Sequence, residues 1–325
     1  MKVQRPTRVG YRGYDVYGMA PSSSGGSTVG EALNILERHD LDAMPTADAL
    51  HLYVEASSLA YADRARYLGD AAYVDVPLAD LLSDAWAAER ACAIRPDVAM
   101  PKPAPAGDVT AYDGTCSPAS PGAGVEAPDT ENLSTTSLTT ADRWGNVVVY
   151  TLTIEQTGGS GLTVPGRGFL LNNELTDFST TWDPVDPNRI QLGKRPRSSM
   201  SPTLVLRDGE PVLGVGSPGG STIITTVLQV LLNRLDLGMT LQEAVAAPRA
   251  TPRNGAEVLA EPAFVDAWGA ALAARGHRVA AVTEPSFPQA EIGAVAAVEL
   301  LGRRRMLAVA EPSRRGGGAA AVVRP

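Results

Sequence analysis

The stretch LSTTSLTTADRWGNVVVYTLT, residues 133–153, decides how this chain is read. TTSLTTAD and NVVVYTLT are rich in β-branched residues and are joined by RWGN, so the segment reads as a β hairpin. Just before it, from Pro96 to Asn132, the chain is dominated by Pro, Gly and Ala without periodicity. A structureless stretch of that length is either a linker or a functional segment. A threonine at a strand start can act as a nucleophile without a histidine if the backbone is cut just before it. The freed α-amine, with a pKa of about 7.7–8.0, is then a base close to neutral pH. The flexible segment 96–132 followed by Thr135 supplies both requirements. Composition does not choose among Thr135, Thr136, Thr139 and Thr140, and the plain alternative makes all four ordinary hairpin residues.

Upstream of the hairpin, YRGYDVYGM reads as a short strand-like piece and PSSSGGS as a turn before a helix. Val29, Leu33 and Leu36 line one face of that helix. A second helix is predicted from about Ala47 to Tyr67, with Gly69 as its C-cap, and a third over roughly Leu78 to Ile94. Downstream, PTLVLRDGEPVLGVG predicts a hairpin turning at Asp208-Gly209. STIITTVLQVLLNRL reads as a buried helix, TLQEAVAAPR and EPAFVDAWGAALAARG as shorter helices, and HRVAAVT and IGAVAAVEL as strands. The tail SRRGGGAAAVV carries little information.

At 325 residues and 44% hydrophobic, the chain has the means to bury a large core. A net charge of −8 with both signs scattered argues against a nucleic-acid partner, because phosphate binding needs clustered Lys and Arg. No apolar run reaches the roughly 18 residues of a membrane span. The amino-terminal residues hold no apolar signal segment. Cys92 and Cys116 lack metal-ligand spacing, which leaves only a disulfide open. With only His39, His51 and His277, no metal site is expected, and no cofactor either.

Two motifs are set aside. GVGSPG, residues 214–219, matches a dinucleotide-binding pattern, but its preceding strand belongs to a tight hairpin and Pro218 sits inside the loop. Ser217 in VGSPG lacks the first glycine of a nucleophile elbow, and only His277 lies downstream as a base.

The motifs TTSLTTADRWGNVVVYTLT, GFLLNNELTDFS, GKRPRSSMSPTLV and GSPGGSTIITTVLQ, in this order, resemble the small subunit of γ-glutamyltransferases. YRGYDVYGMAPSSSGG and YADRARYLGD resemble the carboxyl-terminal part of that family's large subunit. The resemblance implies an α+β fold, the four-layer αββα sandwich of N-terminal-nucleophile hydrolases, incomplete here on its amino-terminal side. It also implies self-cleavage between Ser134 and Thr135. The Thr135 hydroxyl would attack the Ser134 carbonyl, and water would open the ester. Thr135 would then take a γ-glutamyl group from glutathione or a related compound and pass it to water or to an amino acid or dipeptide amine. Matched residue by residue, Thr153 hydrogen-bonds the nucleophile and Gly219 and Gly220 form the oxyanion pair. Ser198 and Ser199 hold the donor α-carboxylate, and Asp177 pairs with the α-ammonium.

The match departs from the family pattern at Glu155 and Glu174, where many members carry amides. Near Asp177 these acids should repel, raising the pKa of one of them. The stretch from Ser179 to Lys194 is short and lacks the tyrosine-bearing lid of many members, so the site should be open. The expected division is 1–134, the carboxyl-terminal part of a large subunit, and 135–325, a whole small subunit, the two remaining partners after cleavage. The family arginine that clamps the donor carboxylate would lie upstream of this chain. The resemblance further implies a periplasmic or extracellular location. Competing readings are an acylase for glutaryl-type β-lactam side chains and an inactive remnant.

Overall fold

The computed structural model describes residues 3–116, 134–283, 291–302 and 305–323. Strands β1 (Thr7–Tyr11) and β2 (Tyr14–Gly18) form a hairpin through Arg12 and Gly13, both at positive φ, a turn that suits the strand twist. Helix α1 (Gly25–Leu36) is buried along its whole length between these strands and α2 (Thr46–Tyr67). The single helix expected over 78–94 is instead two, α3 (Leu78–Leu81) and α4 (Asp84–Ala91). Ser83 divides them because its side chain caps α4 by accepting from the Trp86 N–H.

Strands β3 (Thr135–Ala141) and β4 (Val147–Thr153) form the expected hairpin, with Thr135 opposite Thr153 and Ala141 opposite Val147. Strands β5 (Thr203–Arg207) and β6 (Glu210–Gly216) turn at Asp208-Gly209 as predicted. Helix α5 (Thr222–Leu235) lies beside α1, and α6 (Leu241–Ala246) opens with a Thr240–Glu243 capping box. Strands β7 (Ala250–Thr251), β8 (Val258–Ala260) and β9 (Val279–Ala281) make a small separate sheet. Strands β10 (Ala296–Leu300) and β11 (Met306–Ala310) close the chain, the latter not foreseen from the sequence.

The main sheet is antiparallel throughout, in the order β1-β2-β5-β6-β10-β11. Because β2 pairs with β5, the regions 1–134 and 135–325 share one sheet. They also share one apolar core, in which Leu33, Leu36, Tyr53 and Leu59 meet Val205, Val215, Ile224 and Leu228.

The β3–β4 hairpin lies on the opposite face of this sheet from the helices, directly over β6 and β10. Two glycines permit the approach. A Cβ on Gly216 would come within 2.4 Å of Ser137 Oγ, and one on Gly214 within 2.9 Å of Val149 Cγ2. Thr139 Oγ1 donates to the Ala296 carbonyl at 2.8 Å, fixing the hairpin along its length. Its outer face carries Leu138, Val148, Tyr150 and Leu152, all exposed. Among the described residues no helical layer covers that face, so the α+β architecture is present through helices, sheet and hairpin, with the outer side open.

The Pro- and Ala-rich stretch is not loose where it is described. Residues 96–116 are held as a strap: Ala99 N–H donates to the Arg275 carbonyl, Ala104 bonds the Asn254 amide through both N–H and C=O, and Gly107 N–H donates to Asp63. Residues 117–132 of the expected flexible segment lie outside the described residues. Cys92, at the end of α4, is disulfide-bonded to Cys116, with their Cα atoms 5.5 Å apart. The bridge closes 24 residues of separation, which corresponds to about 3.5 kcal/mol of chain entropy removed from the unfolded state. Replacing both cysteines by serine should lower the urea midpoint accordingly. A reductant should lower the wild-type midpoint and leave that of the double variant where it is.

Candidate active site

Of the four threonines left open by composition, Thr136 and Thr140 face outward and Thr139 is engaged with β10. Thr135 remains, half-buried at the start of β3. Its Oγ1 donates to Thr153 Oγ1 at 3.2 Å, directly across the hairpin. Thr153 Oγ1 also receives the Glu155 N–H at 2.9 Å and reaches the Ser134 carbonyl at 3.4 Å. Glu155 sits at φ +74°, a left-handed conformation that turns the chain sharply after β4 and brings its N–H back to Thr153. One hydroxyl, that of Thr153, thus touches both the Thr135 side chain and the peptide carbonyl before it.

Ser137 lies over Gly216, so the next residue on the same face, Thr135, is one two-residue step of about 7 Å farther toward the end of β6. There the chain leaves the sheet as Ser217-Pro218-Gly219-Gly220 and enters α5. Gly219 has φ +145°, and a Cβ on it would come within 2.5 Å of Thr222 Oγ1, so a side chain is excluded there. Backbone N–H groups at the start of a 14-residue helix, free of side chains, are suited to receive a developing negative charge.

Ser198 and Ser199 lie in a loop gripped from both sides by the amino-terminal region. Ser24 N–H donates to the Ser198 carbonyl at 2.8 Å, Ser198 N–H to the Ser22 carbonyl at 3.2 Å, and Ser23 Oγ to the Met200 carbonyl at 2.6 Å. Sequence reading took PSSSGG for a plain turn, although two serine-rich runs of similar length hint at such pairing. Asp70 secures the same loop by accepting from the Arg195 backbone N–H and from its guanidinium, the latter at 2.7 and 3.0 Å.

The acidic residues gather one loop away. Glu155 is buried, and its carboxylate accepts from the Asn173 amide at 3.0 Å. Glu174 and Asp177 bracket a single 3-10 turn, with Asp177 buried. Asn188, which sequence reasoning missed, ties this turn to the serine loop: its amide donates to the Asp177 carbonyl and its oxygen accepts the Arg197 N–H.

A cluster that was not foreseen lies elsewhere. His51, Glu55 and His277 are buried with potential ligand atoms within 4.8 Å of one another. Protein groups already serve most of those atoms. His51 Nδ1 faces His277 Nε2 at 2.7 Å and His51 Nε2 faces the Arg95 carbonyl at 2.6 Å, while Lys102 and the Met100 N–H occupy the two oxygens of Glu55. Burial pushes the pKa of His277 down to about 3, so it is neutral near pH 7. The cluster is a cross-brace between α2, the strap and the turn that joins α7 (Ala270–Ala273) to β9.

The helices, the antiparallel sheet and the hairpin stacked on it make up an N-terminal-nucleophile hydrolase fold. Residues 1–322 match the gamma-glutamyltranspeptidase family, and the chain belongs to that family. It is 44% identical over 251 residues to a glutathione hydrolase proenzyme of Bacillus subtilis, covering 76% of this chain and 42% of that protein. It is 37% identical over 283 residues to the acylase ACY 1 proenzyme of a Pseudomonas species, covering 86% of this chain and 46% of that one. The crystal structure of cephalosporin acylase from Bacillus halodurans superposes with a TM-score of 0.80 at 29% identity, over 99% of this chain and 53% of that one. The chain therefore spans less than half the length of these two proenzymes. Among the described residues, no helix is long and apolar enough to cross a membrane.

The Asp70–Arg195 pair makes the serine loop sensitive to acid. Hydrogen bonds from Arg195 hold the Asp70 pKa down to about 2, whereas an unfolded aspartate titrates near 3.9. Between those values the unfolded chain binds more protons. The stabilisation is thus full above about pH 4 and lost as pH falls through about 2. Arg195 is half open to water, which screens the pair, so roughly 1–2 kcal/mol is at stake. Asp70→Asn should lower stability at pH 7 by that amount and flatten its decline between about pH 4 and 2, as read by urea titrations at each pH.

Proposed function

We propose that this chain carries the catalytic part of a γ-glutamyl-transferring hydrolase that matures by cutting itself between Ser134 and Thr135. The observation that carries the reading is the Thr135–Thr153–Ser134 contact. In the precursor, Thr153 polarises the Ser134 carbonyl while Thr135 Oγ attacks it. The C–N bond breaks, the ester forms, and water hydrolyses it to leave a free Thr135 amine. That amine is then the base that accepts the proton from Thr135 Oγ during attack on the donor's γ-carbonyl. The Gly219–Gly220 turn receives the oxyanion, the donor amine leaves, and water or an amino acid or dipeptide amine takes the acyl group. Glutathione is the donor that the hydrolase relative suggests.

In this reading Ser198 and Ser199 bind the donor α-carboxylate, and Asp177, aided by Glu155 and Glu174, binds its ammonium. The bare apolar face of the hairpin supports treating residues 3–323 as part of a larger assembly, with further large-subunit structure over Leu138 and Tyr150. Activity is therefore to be assayed on the whole encoded protein. The region 1–134 and the region 135–325 remain together after cleavage through their common sheet. The acylase relatives support a second reading, in which the donor is a glutaryl amide that lacks the ammonium. A location outside the cytoplasm follows by analogy with the family.

Thr135→Ala should abolish both processing and turnover of γ-glutamyl anilide, while Thr135→Ser should keep some of each, since its oxygen survives. Gel analysis with amino-terminal sequencing should find a fragment whose first residue is Thr135. A terminus at Thr136 or Thr139 would overturn the assignment. The two donor readings separate at Asp177. A charge-assisted bond to the ammonium is worth about 1.5–3 kcal/mol, so Asp177→Ala should raise KM for γ-glutamyl anilide about 10- to 100-fold. Turnover of glutaryl anilide should be unchanged or improved. Equal damage to both donors would make Asp177 structural.

A further inference from the structure

Helix α2 carries a stripe of polar-tipped residues at Tyr53, Ser57, Tyr61 and Arg64, spaced so that they share one face. All four are buried, and each reaches across to the catalytic region. Tyr53 Oη donates to the Thr225 and Ala250 carbonyls at 3.2 and 3.0 Å, and Ser57 Oγ to the Pro252 carbonyl at 2.7 Å. Tyr61 Oη donates to the Ser221 carbonyl at 2.6 Å. Arg64 donates through Nε to Ser24 Oγ at 2.8 Å and through Nη2 to Ser199 Oγ at 2.7 Å. Its guanidinium also lies 5.5 Å from the centre of the Tyr61 ring. Ser221 directly follows the Gly219–Gly220 turn, and Ser199 belongs to the serine pair of the donor site.

We infer that α2 is a spacer that sets the distance between the two ends of the donor site, with Tyr61 and Arg64 as its positioning residues. The inference rests on the γ-glutamyl reading above. Arg64 can only donate hydrogen bonds, so Ser199 Oγ is the acceptor on the α2 side and its own hydrogen points away from α2. A hydroxyl that accepts from a guanidinium is also the stronger donor. Tyr61 holds the first turn of α5 by its Ser221 carbonyl, and this turn aims the N–H groups of the glycine pair. One residue thus governs how the donor carboxylate is gripped, and the other how its carbonyl is polarised. Apolar side chains would fill this space without the cost of burying a guanidinium, which argues that the polar stripe is kept for position.

The test uses the mature, whole encoded protein and three anilides: γ-glutamyl, glutaryl, and γ-aminobutyryl, which keeps the ammonium but lacks the carboxylate. Arg64→Gln should raise KM for the first two about tenfold, leave their kcat within about threefold, and leave the third donor unaffected. Arg64→Lys, which keeps the charge but loses the fork, should give an intermediate KM. Tyr61→Phe should lower kcat on all three donors about tenfold with KM unchanged. Parallel losses on all donors in every variant would reduce α2 to a structural element and overturn the inference. If neither Arg64 variant folds, Tyr61→Phe decides alone, and an unchanged kcat refutes the spacer. A wild-type protein with no γ-glutamyl turnover would sink the underlying reading, and the spacer with it. An active wild type whose variants fail to split sinks the spacer only.

Discussion

The missing side chains of Gly214 and Gly216 let a β hairpin rest directly on β6, and the geometry of the candidate site follows from that contact. With Ser137 over Gly216 and Thr139 bonded to Ala296, the hairpin cannot slide without breaking both constraints. A one-residue slip would also turn Thr135 to the outer face, because side chains alternate along a strand. Register therefore singles out the proposed nucleophile: only the first threonine of the run meets Thr153, and it does so at the end of β6 where the glycine turn departs. The chemical distinction among four similar hydroxyls is a distinction of strand parity and position.

In the proposed maturation the protein must hold together without the Ser134–Thr135 bond. Here the two sides of Ser134–Thr135 are joined by the β2–β5 pairing, by a common apolar core and by the polar stripe of α2. Further ties converge on the serine loop. Arg195 binds Asp70, and Arg197 Nη1 donates to the Arg64 and Leu68 carbonyls at the end of α2, where a cation suits the helix terminus. The amino-terminal region thus supplies much of the framework around the candidate site.

Both hairpins after residue 134 and the long buried helix were legible in the sequence, because β-branched runs, an Asp-Gly turn and apolar periodicity are local signals. The proposed catalytic threonine was narrowed to a short run by composition and to Thr135 by family resemblance. The structure adds a local reason for that choice in the facing Thr153. What escaped the sequence is non-local. The SSSGG segment reads as a turn until Ser24 is seen to donate to the Ser198 carbonyl, and YADRAR reads as a helix end until Arg64 is found against Ser199. The tail likewise seemed uninformative, yet Arg314 is buried and ion-paired to both Glu261 and Glu311. Such contacts join residues more than a hundred positions apart, or charges in a Gly-rich segment, and no periodicity announces them. The Pro- and Ala-rich strap escaped for a related reason: its order comes from bonds to Asn254, Asp63 and Arg275, not from a repeating pattern of its own.

The most direct test of the account is to find which atom carries the acyl group. Mature protein is mixed with a γ-glutamyl donor, quenched in acid, digested and examined by mass spectrometry. The account predicts the mass of one γ-glutamyl group on the peptide that begins at Thr135, removable by hydroxylamine as an ester on Oγ must be. A γ-glutamyl group on any other residue, or one on Thr135 that resists hydroxylamine, would contradict it.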